Sequence, residues 1–183
     1  MTKRFLKLVL FLTGALAFIF LVFIFLKQGG ANKISNKISV NQCYEERDDV
    51  IRGASLEPFL KNGAKVKSLF NYYDCDEFKR GDVVIFKFKT REETFVKKLM
   101  GLPGDKLEIK EDKIYLNDEV LTNSQNQPYL ADERAKTLLM KPLTEVKIPE
   151  NYFLILSDHP NPSFDSRTFG LLAKEHIAGK VEY

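Results

Sequence analysis

The chain has 183 residues, 44% of them hydrophobic, which is enough to bury one ordinary core and too few for a second full domain. Its 28 lysines and arginines nearly balance 25 acidic residues, and the basic residues lie among acids rather than in one block. A nucleic-acid-binding groove would need a basic patch, so we expect no nucleic-acid partner.

The N-terminal segment differs from the rest in composition. Residues 8–26 (LVLFLTGALAFIFLVFIFL) carry no charge, and a helix rising about 1.5 Å per residue would take them across most of a ~30 Å hydrocarbon layer. A cleaved signal peptide is the alternative. However, the apolar run is longer than a usual signal-peptide core, and only Gly29 and Ala31 follow it as small residues for cleavage. The sequence therefore favours an uncleaved transmembrane helix.

This anchor divides the chain into three segments. We expect a tip and anchor at 1–27, a polar linker at 28–42 and a folded domain at 43–183. Charge does not decide the orientation, because basic residues lie close to both ends of the apolar run. Cys43 and Cys75 either form a disulfide, which would suit an oxidising compartment, or are two unrelated small apolar residues.

The folded segment consists mostly of short apolar runs of the length of strands. They lie at 81–88, 94–102, 106–109, 113–116 and 151–157. The acidic pair at Glu111 and Asp112 predicts a hairpin turn, and Asn117 with Asp118 predicts a second one. Residues 131–139 form the one convincing helical pattern after the anchor. We therefore predict a mainly β fold, a compact antiparallel domain with one N-terminal transmembrane helix.

Ser55, in the stretch GASLEPFLKNG, raises the question of nucleophilic chemistry. A serine attacks at neutral pH only when another group takes its proton. His159 and His176 are the two histidines of the chain, and a lysine can serve instead if burial disfavours its charged form. Lys97 and Lys98 lie on opposite faces of the strand predicted at 94–102, and strand alternation alone leaves open which of them points inward.

Four stretches taken together resemble one enzyme family. They are SLEP (55–58), KRGDVVIF (79–86), FVKKLMGLPGD (95–105) and SDHPNPSFDSRTFG (157–170). They occur in the order of the conserved boxes of type I signal peptidases, and the resemblance covers most of residues 50–183. It implies a peptidase domain on the extracytoplasmic side of the plasma membrane, with a cytoplasmic N-terminal tip.

The resemblance also implies roles for individual residues. Ser55 matches the nucleophile and Lys97 the general base, with Lys98 in the place of a neighbouring basic residue. Such a pair is a variant of the serine-protease triad, in which a neutral amine accepts the hydroxyl proton. Ser163 matches a serine that orients the lysine. Asp165 and Arg167 match an ion pair that holds the loop of the site.

The expected oxyanion hole includes the backbone N–H of Ser55. Gly53 stands where some members of the family carry a serine hydroxyl, so we expect it to allow a tight backbone approach without contributing a side chain. Four positions depart from the family pattern: Leu56 replaces methionine, Ser157 replaces glycine, and His159 with Pro160 replaces an asparagine–arginine pair. The sequence assigns no role to His159.

The expected function is that of a membrane-anchored serine endopeptidase that cleaves signal peptides from secreted preproteins, with no metal or other cofactor. Its expected partners are these preproteins and the lipid bilayer. Two alternatives remain open. One is a specialised relative that processes a narrow substrate, such as a pilin or a conjugation protein, and the other is an inactive anchored scaffold.

Overall fold

The structure is a computed structural model that describes residues 43–141, 143 and 146–183. The predicted anchor at 8–26 and the linker at 28–42 lie outside the described residues. Within the described part of the chain, no helix is both long and apolar enough to cross a bilayer. The transmembrane helix therefore stays a prediction.

The described residues form a mainly antiparallel β fold, as the sequence predicts. The strands are β1 (Glu45–Val50), β2 (Lys65–Phe70), β3 (Val83–Phe86), β4 (Phe95–Gly101), β5 (Leu107–Lys110), β6 (Lys113–Leu116), β7 (Glu119–Val120), β8 (Tyr152–Leu156), β9 (Leu172–Ala173) and β10 (Ile177–Glu182). Two short α-helices, α1 (Glu133–Met140) and α2 (Ser166–Phe169), complete them.

Seven strands form one sheet in the order β1-β2-β10-β3-β4-β8-β9. Every pairing in it is antiparallel, and the C-terminal strand β10 lies between β2 and β3. Strand β4, which carries both lysines of the predicted site, pairs with β3 on one side and β8 on the other. An interior strand of this kind holds its side chains in a fixed register.

A second sheet contains β5, β6 and β7 and confirms both predicted turns. Glu111 and Asp112, between β5 and β6, have φ of 49° and 62°, and Asn117 and Asp118, between β6 and β7, have φ of 53° and 70°. Positive φ at both central residues is the geometry of the type I′ turn that matches the twist of a hairpin. Asn and Asp tolerate this geometry better than most residues.

Helix α1 confirms the helix predicted at 131–139, although it begins two residues later, at Glu133, and ends one residue later, at Met140. The side chain of Asp132 caps it by accepting a hydrogen bond from the backbone N–H of Ala135. Ala135 and Leu139 face inward and join a core cluster with residues of β4, β5, β6 and β8. The helix thus closes the apolar space between the two sheets.

Cys43 and Cys75 form a disulfide, which decides between the two alternatives that the sequence leaves open. Their Cα atoms lie 6.3 Å apart. The bond joins the chain just before β1 to the segment that follows β2. It therefore reinforces the edge of the large sheet, where β1 has one neighbouring strand.

Candidate active site

Ser55 lies in the loop that follows β1. Gly53 in this loop has φ of +90°, and its N–H donates to Asn62 Oδ1 over 3.0 Å. A Cβ added at Gly53 would meet no atom within 4 Å. No described atom therefore crowds this position, and the close approach of a substrate backbone to Gly53 stays a prediction. The left-handed backbone conformation of the glycine is one that a residue with a side chain rarely adopts.

Lys97 is the inward-facing lysine of β4. It is 4% exposed, and its Nζ lies 2.7 Å from Ser55 Oγ and 3.1 Å from the carbonyl oxygen of Val96. Its register partner in β3 is the fully buried Val84. The structure therefore resolves the choice between Lys97 and Lys98, and it brings Lys97 to the serine from a position 42 residues away in the chain.

Burial changes the proton affinity of this amine. Loss of hydration disfavours the ammonium form and lowers the pKa of Lys97 to about 8, although the negative charge of Asp165 acts in the opposite direction. An amine with this pKa is unprotonated in an appreciable fraction of molecules near neutral pH. It can then accept the hydroxyl proton of Ser55 across the short contact between them.

An open groove of about 470 Å³ runs past the two side chains. Residues 49–52 and 55–56 line one wall, and residues 94–97 line the other. Both walls include extended backbone, from the ends of β1 and β4. The groove thus gives a peptide-sized molecule access to Ser55, which is half-buried.

Asp165 and Arg167 form an ion pair with both side chains completely buried. The guanidinium also donates to the backbone carbonyls of His159 and Pro160, over 3.1 and 2.6 Å. The carboxylate accepts from the backbone N–H of Ser157 over 3.0 Å. The pair therefore holds the loop after β8 through its backbone, as the resemblance implies.

The same loop carries a residue that the sequence analysis missed, Asp158. Its backbone N–H donates to the carbonyl oxygen of Ser55 over 2.8 Å, and its carboxylate forms an ion pair with Lys98 at 3.3 Å. Asn123 and Ser124 also bind Asp158, through its carbonyl and carboxylate oxygens. Nothing local in the sequence indicates these contacts, because they join segments that lie far apart in the chain.

Ser163 is not brought to the lysine. The described hydrogen-bond partners of Lys97 Nζ are Ser55 and the carbonyl of Val96, and Ser163 is not among them. Ser163 is half-buried, and its carbonyl oxygen accepts from the N–H of Asp165 over 2.8 Å. The expected hydroxyl contact to the amine is therefore absent from the described geometry.

Comparison with known proteins identifies the family. The family model described as "Signal peptidase, peptidase S26" matches residues 46–183. Signal peptidase IB of Staphylococcus aureus (strain Mu50 / ATCC 700699) is 34% identical over 146 residues, 73% of this chain and 74% of that protein. The chain is a member of the type I signal peptidase family.

The chain is also similar to two further proteins. Signal peptidase I of Bacillus licheniformis is 31% identical over 140 residues, covering 73% of each chain. The crystal structure of a signal peptidase I from Enterococcus faecalis V583 is 28% identical, with a TM-score of 0.43 over 57% of this chain and 97% of that one.

In this signal peptidase, three of the departures from the family boxes have distinct surroundings. Leu56 is 1% exposed and packs in a core cluster with Ile51 and Leu60. The hydroxyl of Ser157 donates to Asp165 over 2.8 Å and accepts from Arg167 over 3.1 Å, so it strengthens the buried ion pair. His159 reaches the loop of Ser55, where its Nε2 lies 3.0 Å from the carbonyl oxygen of Ala54.

Proposed function

We propose that this chain is a membrane-anchored serine endopeptidase that cleaves N-terminal signal peptides from secreted preproteins, with Ser55 as nucleophile and Lys97 as general base. Membership of the signal peptidase family supports the reaction. The observation that carries the residue assignment is the 2.7 Å contact between Ser55 Oγ and the buried amine of Lys97.

The reaction begins when the neutral amine of Lys97 takes the proton of Ser55 Oγ. The oxygen attacks the scissile carbonyl carbon, and the electron pair of the carbonyl bond moves to its oxygen. The backbone N–H of Ser55 is the proposed donor to this oxyanion. Collapse of the tetrahedral intermediate breaks the C–N bond, and Lys97 returns its proton to the leaving amine.

An acyl-enzyme remains after the amine product leaves. Water then attacks the ester, and the neutral Lys97 takes one of its protons. The second tetrahedral intermediate expels Ser55 Oγ, which recovers that proton from Lys97.

Asp165 and Arg167 are proposed to support both steps by holding the loop after β8, while Gly53 shapes the nucleophile loop. Ser163 is proposed to act only if substrate brings its hydroxyl to the amine.

The proposed location is the plasma membrane, with a cytoplasmic tip and anchor at 1–27, a linker at 28–42 and the peptidase domain at 43–183 on the extracytoplasmic side. The disulfide between Cys43 and Cys75 supports this side, because such bonds persist in oxidising compartments. An anchored enzyme and an anchored preprotein share one surface, so the cleavage site emerges where the enzyme lies.

The test uses the full chain in lipid vesicles with several unrelated preproteins. We expect the wild-type enzyme to cut each of them after its signal peptide, and we expect Ser55→Ala to lose at least ~10⁴-fold in rate, because the attacking oxygen is gone. Product masses identify the cut bond. Cleavage of a single substrate class would instead support the specialised peptidase, and absence of Ser55-dependent cleavage of any preprotein would support the scaffold.

The pH dependence of cleavage should follow Lys97. Burial lowers the pKa of this amine to about 8, and only the neutral form accepts the proton. We therefore expect kcat/KM to rise about tenfold per pH unit well below pH 8 and to level off above it. Initial rates from pH 6 to 10 measure this limb. A midpoint of about 6.5, the ordinary pKa of histidine, would contradict the assignment of Lys97 as the base.

A further inference from the structure

His159 lies in the loop after β8 with an exposed side chain. Its Nε2 lies 3.0 Å from the backbone carbonyl oxygen of Ala54, the residue before the nucleophile. A carbonyl oxygen only accepts hydrogen bonds, so Nε2 carries the proton in this contact. The contact therefore exists whether the ring is neutral or charged, because Nε2–H is a donor in the neutral tautomer and in the cation.

The acceptor of this bond belongs to the same peptide unit as the proposed oxyanion donor. The carbonyl of Ala54 and the N–H of Ser55 lie in one rigid plane and point in opposite directions. Ala54 O also accepts from the backbone N–H of Glu57 over 3.0 Å. Two donors on one oxygen restrict rotation of the plane, and they polarise the amide so that its N–H becomes a stronger donor.

We propose that His159 is a positioning residue for the oxyanion hole, which fixes the direction of the Ser55 N–H by donating to Ala54 O. This inference rests on the proposed function and adds a residue to it. His159 does not touch the reacting atoms. It acts through the peptide plane between Ala54 and Ser55.

The backbone of His159, on the donor side of this contact, is held in place by further hydrogen bonds. Arg167, completely buried, donates to the carbonyl of His159 over 3.1 Å and to that of Pro160 over 2.6 Å. The neighbouring Asp158 donates its N–H to the carbonyl of Ser55 over 2.8 Å. Consecutive residues of one loop therefore hold consecutive carbonyls of the nucleophile loop. A side-chain donor whose own backbone is held in place positions its acceptor better than one on a mobile backbone does.

The geometry separates this role from that of a base. The proton-bearing nitrogen of His159 faces a carbonyl, while Ser55 Oγ is already 2.7 Å from Lys97 Nζ. Loss of the His159 contact should therefore weaken stabilisation of the transition state and leave the protonation of Lys97 as it is. Its expected signature is a lower kcat with an unchanged KM and an unchanged pH limb.

The experiment compares His159→Gln with His159→Met in the full chain. Glutamine keeps an N–H donor close to the position of Nε2, whereas methionine has a similar length and no donor. We expect kcat of the methionine variant to fall about 3- to 10-fold, in line with the loss of one hydrogen bond, and that of the glutamine variant to stay within about twofold of wild type. Equal thermal midpoints for all three proteins would show that the loss is not one of folding.

A peptide aldehyde ending at the cleavage site provides a second readout. Ser55 adds to its carbonyl and creates an oxyanion, so its affinity should fall in the methionine variant by about the same factor as kcat. Binding of the corresponding uncleavable peptide should not change. Wild-type kcat in His159→Met, or equal losses in both variants, would overturn the role of His159. Absence of Ser55-dependent cleavage in the wild-type protein would overturn the proposed function instead.

Discussion

The Lys97→Arg variant should lose Ser55-dependent cleavage by at least ~10³-fold, because a guanidinium stays protonated at every accessible pH and cannot accept the serine proton. The position is 4% exposed, so the added charge is also poorly hydrated. Single-turnover cleavage of a preprotein measures the loss. Raising the pH to 10 should leave the Lys97→Arg variant inactive, whereas the wild-type enzyme should keep its full rate at that pH.

The neighbouring lysine provides the matched control. Lys98→Arg keeps a cation beside Asp158, so we expect activity within a few-fold of wild type. Lys98 Nζ lies 3.3 Å from the carboxylate of Asp158 and over the ring of Phe59 at 4.3 Å, and an arginine can make both contacts. Wild-type turnover in Lys97→Arg would remove Lys97 from the mechanism.

The second large effect concerns stability. Arg167→Met should lower the free energy of unfolding by about 3–5 kcal/mol, because it leaves the carboxylate of Asp165 buried without its cation. Urea denaturation followed by circular dichroism measures the change. Lys89→Met is the control, since Lys89 and Glu175 form an ion pair with both side chains largely exposed, and its denaturation midpoint should not move.

A further variant separates stability from catalysis at this position. Arg167→Lys keeps the charge and should recover part of the lost stability. A lysine lacks the planar fork that reaches the carbonyls of His159 and Pro160 together with Asp165, so kcat should remain below wild type. An unchanged denaturation midpoint in Arg167→Met would show that the buried pair contributes nothing to folding.

The strands that the sequence predicts lie in runs rich in apolar residues, although charged residues interrupt these runs in β4 and β5. Residues 81–88 and 151–157 contain β3 and β8, which are interior strands with almost wholly buried side chains. Strand β1 escaped prediction because all six of its side chains are exposed and five of them are charged. Charged edge strands oppose pairing with other molecules, and they show no hydrophobic period from which they could be recognised.

The site residues divide in the same way, into those that the local sequence predicts and those that depend on the whole fold. The boxes around Ser55 and Lys97 predict the pair that the structure brings together. The alternation of side chains along β4 does not by itself distinguish Lys97 from Lys98. That choice depends on the pairing of β4 with β3 and β8, which is a property of the whole sheet. The contacts of Asp158 with residues 123 and 124 depend likewise on tertiary packing, and Ser163 shows that a matched motif does not ensure the matched contact.

The disulfide also determines how a mechanical load would enter the domain. Tension applied to the chain before residue 43 reaches the disulfide between Cys43 and Cys75 before it reaches the hydrogen bonds of β1. The covalent bond passes the force to the segment after β2, where Tyr73 is packed in the core. Strand β1 can therefore lose or re-form its end pairs without bearing that tension, and the groove wall that continues from it is shielded from the load.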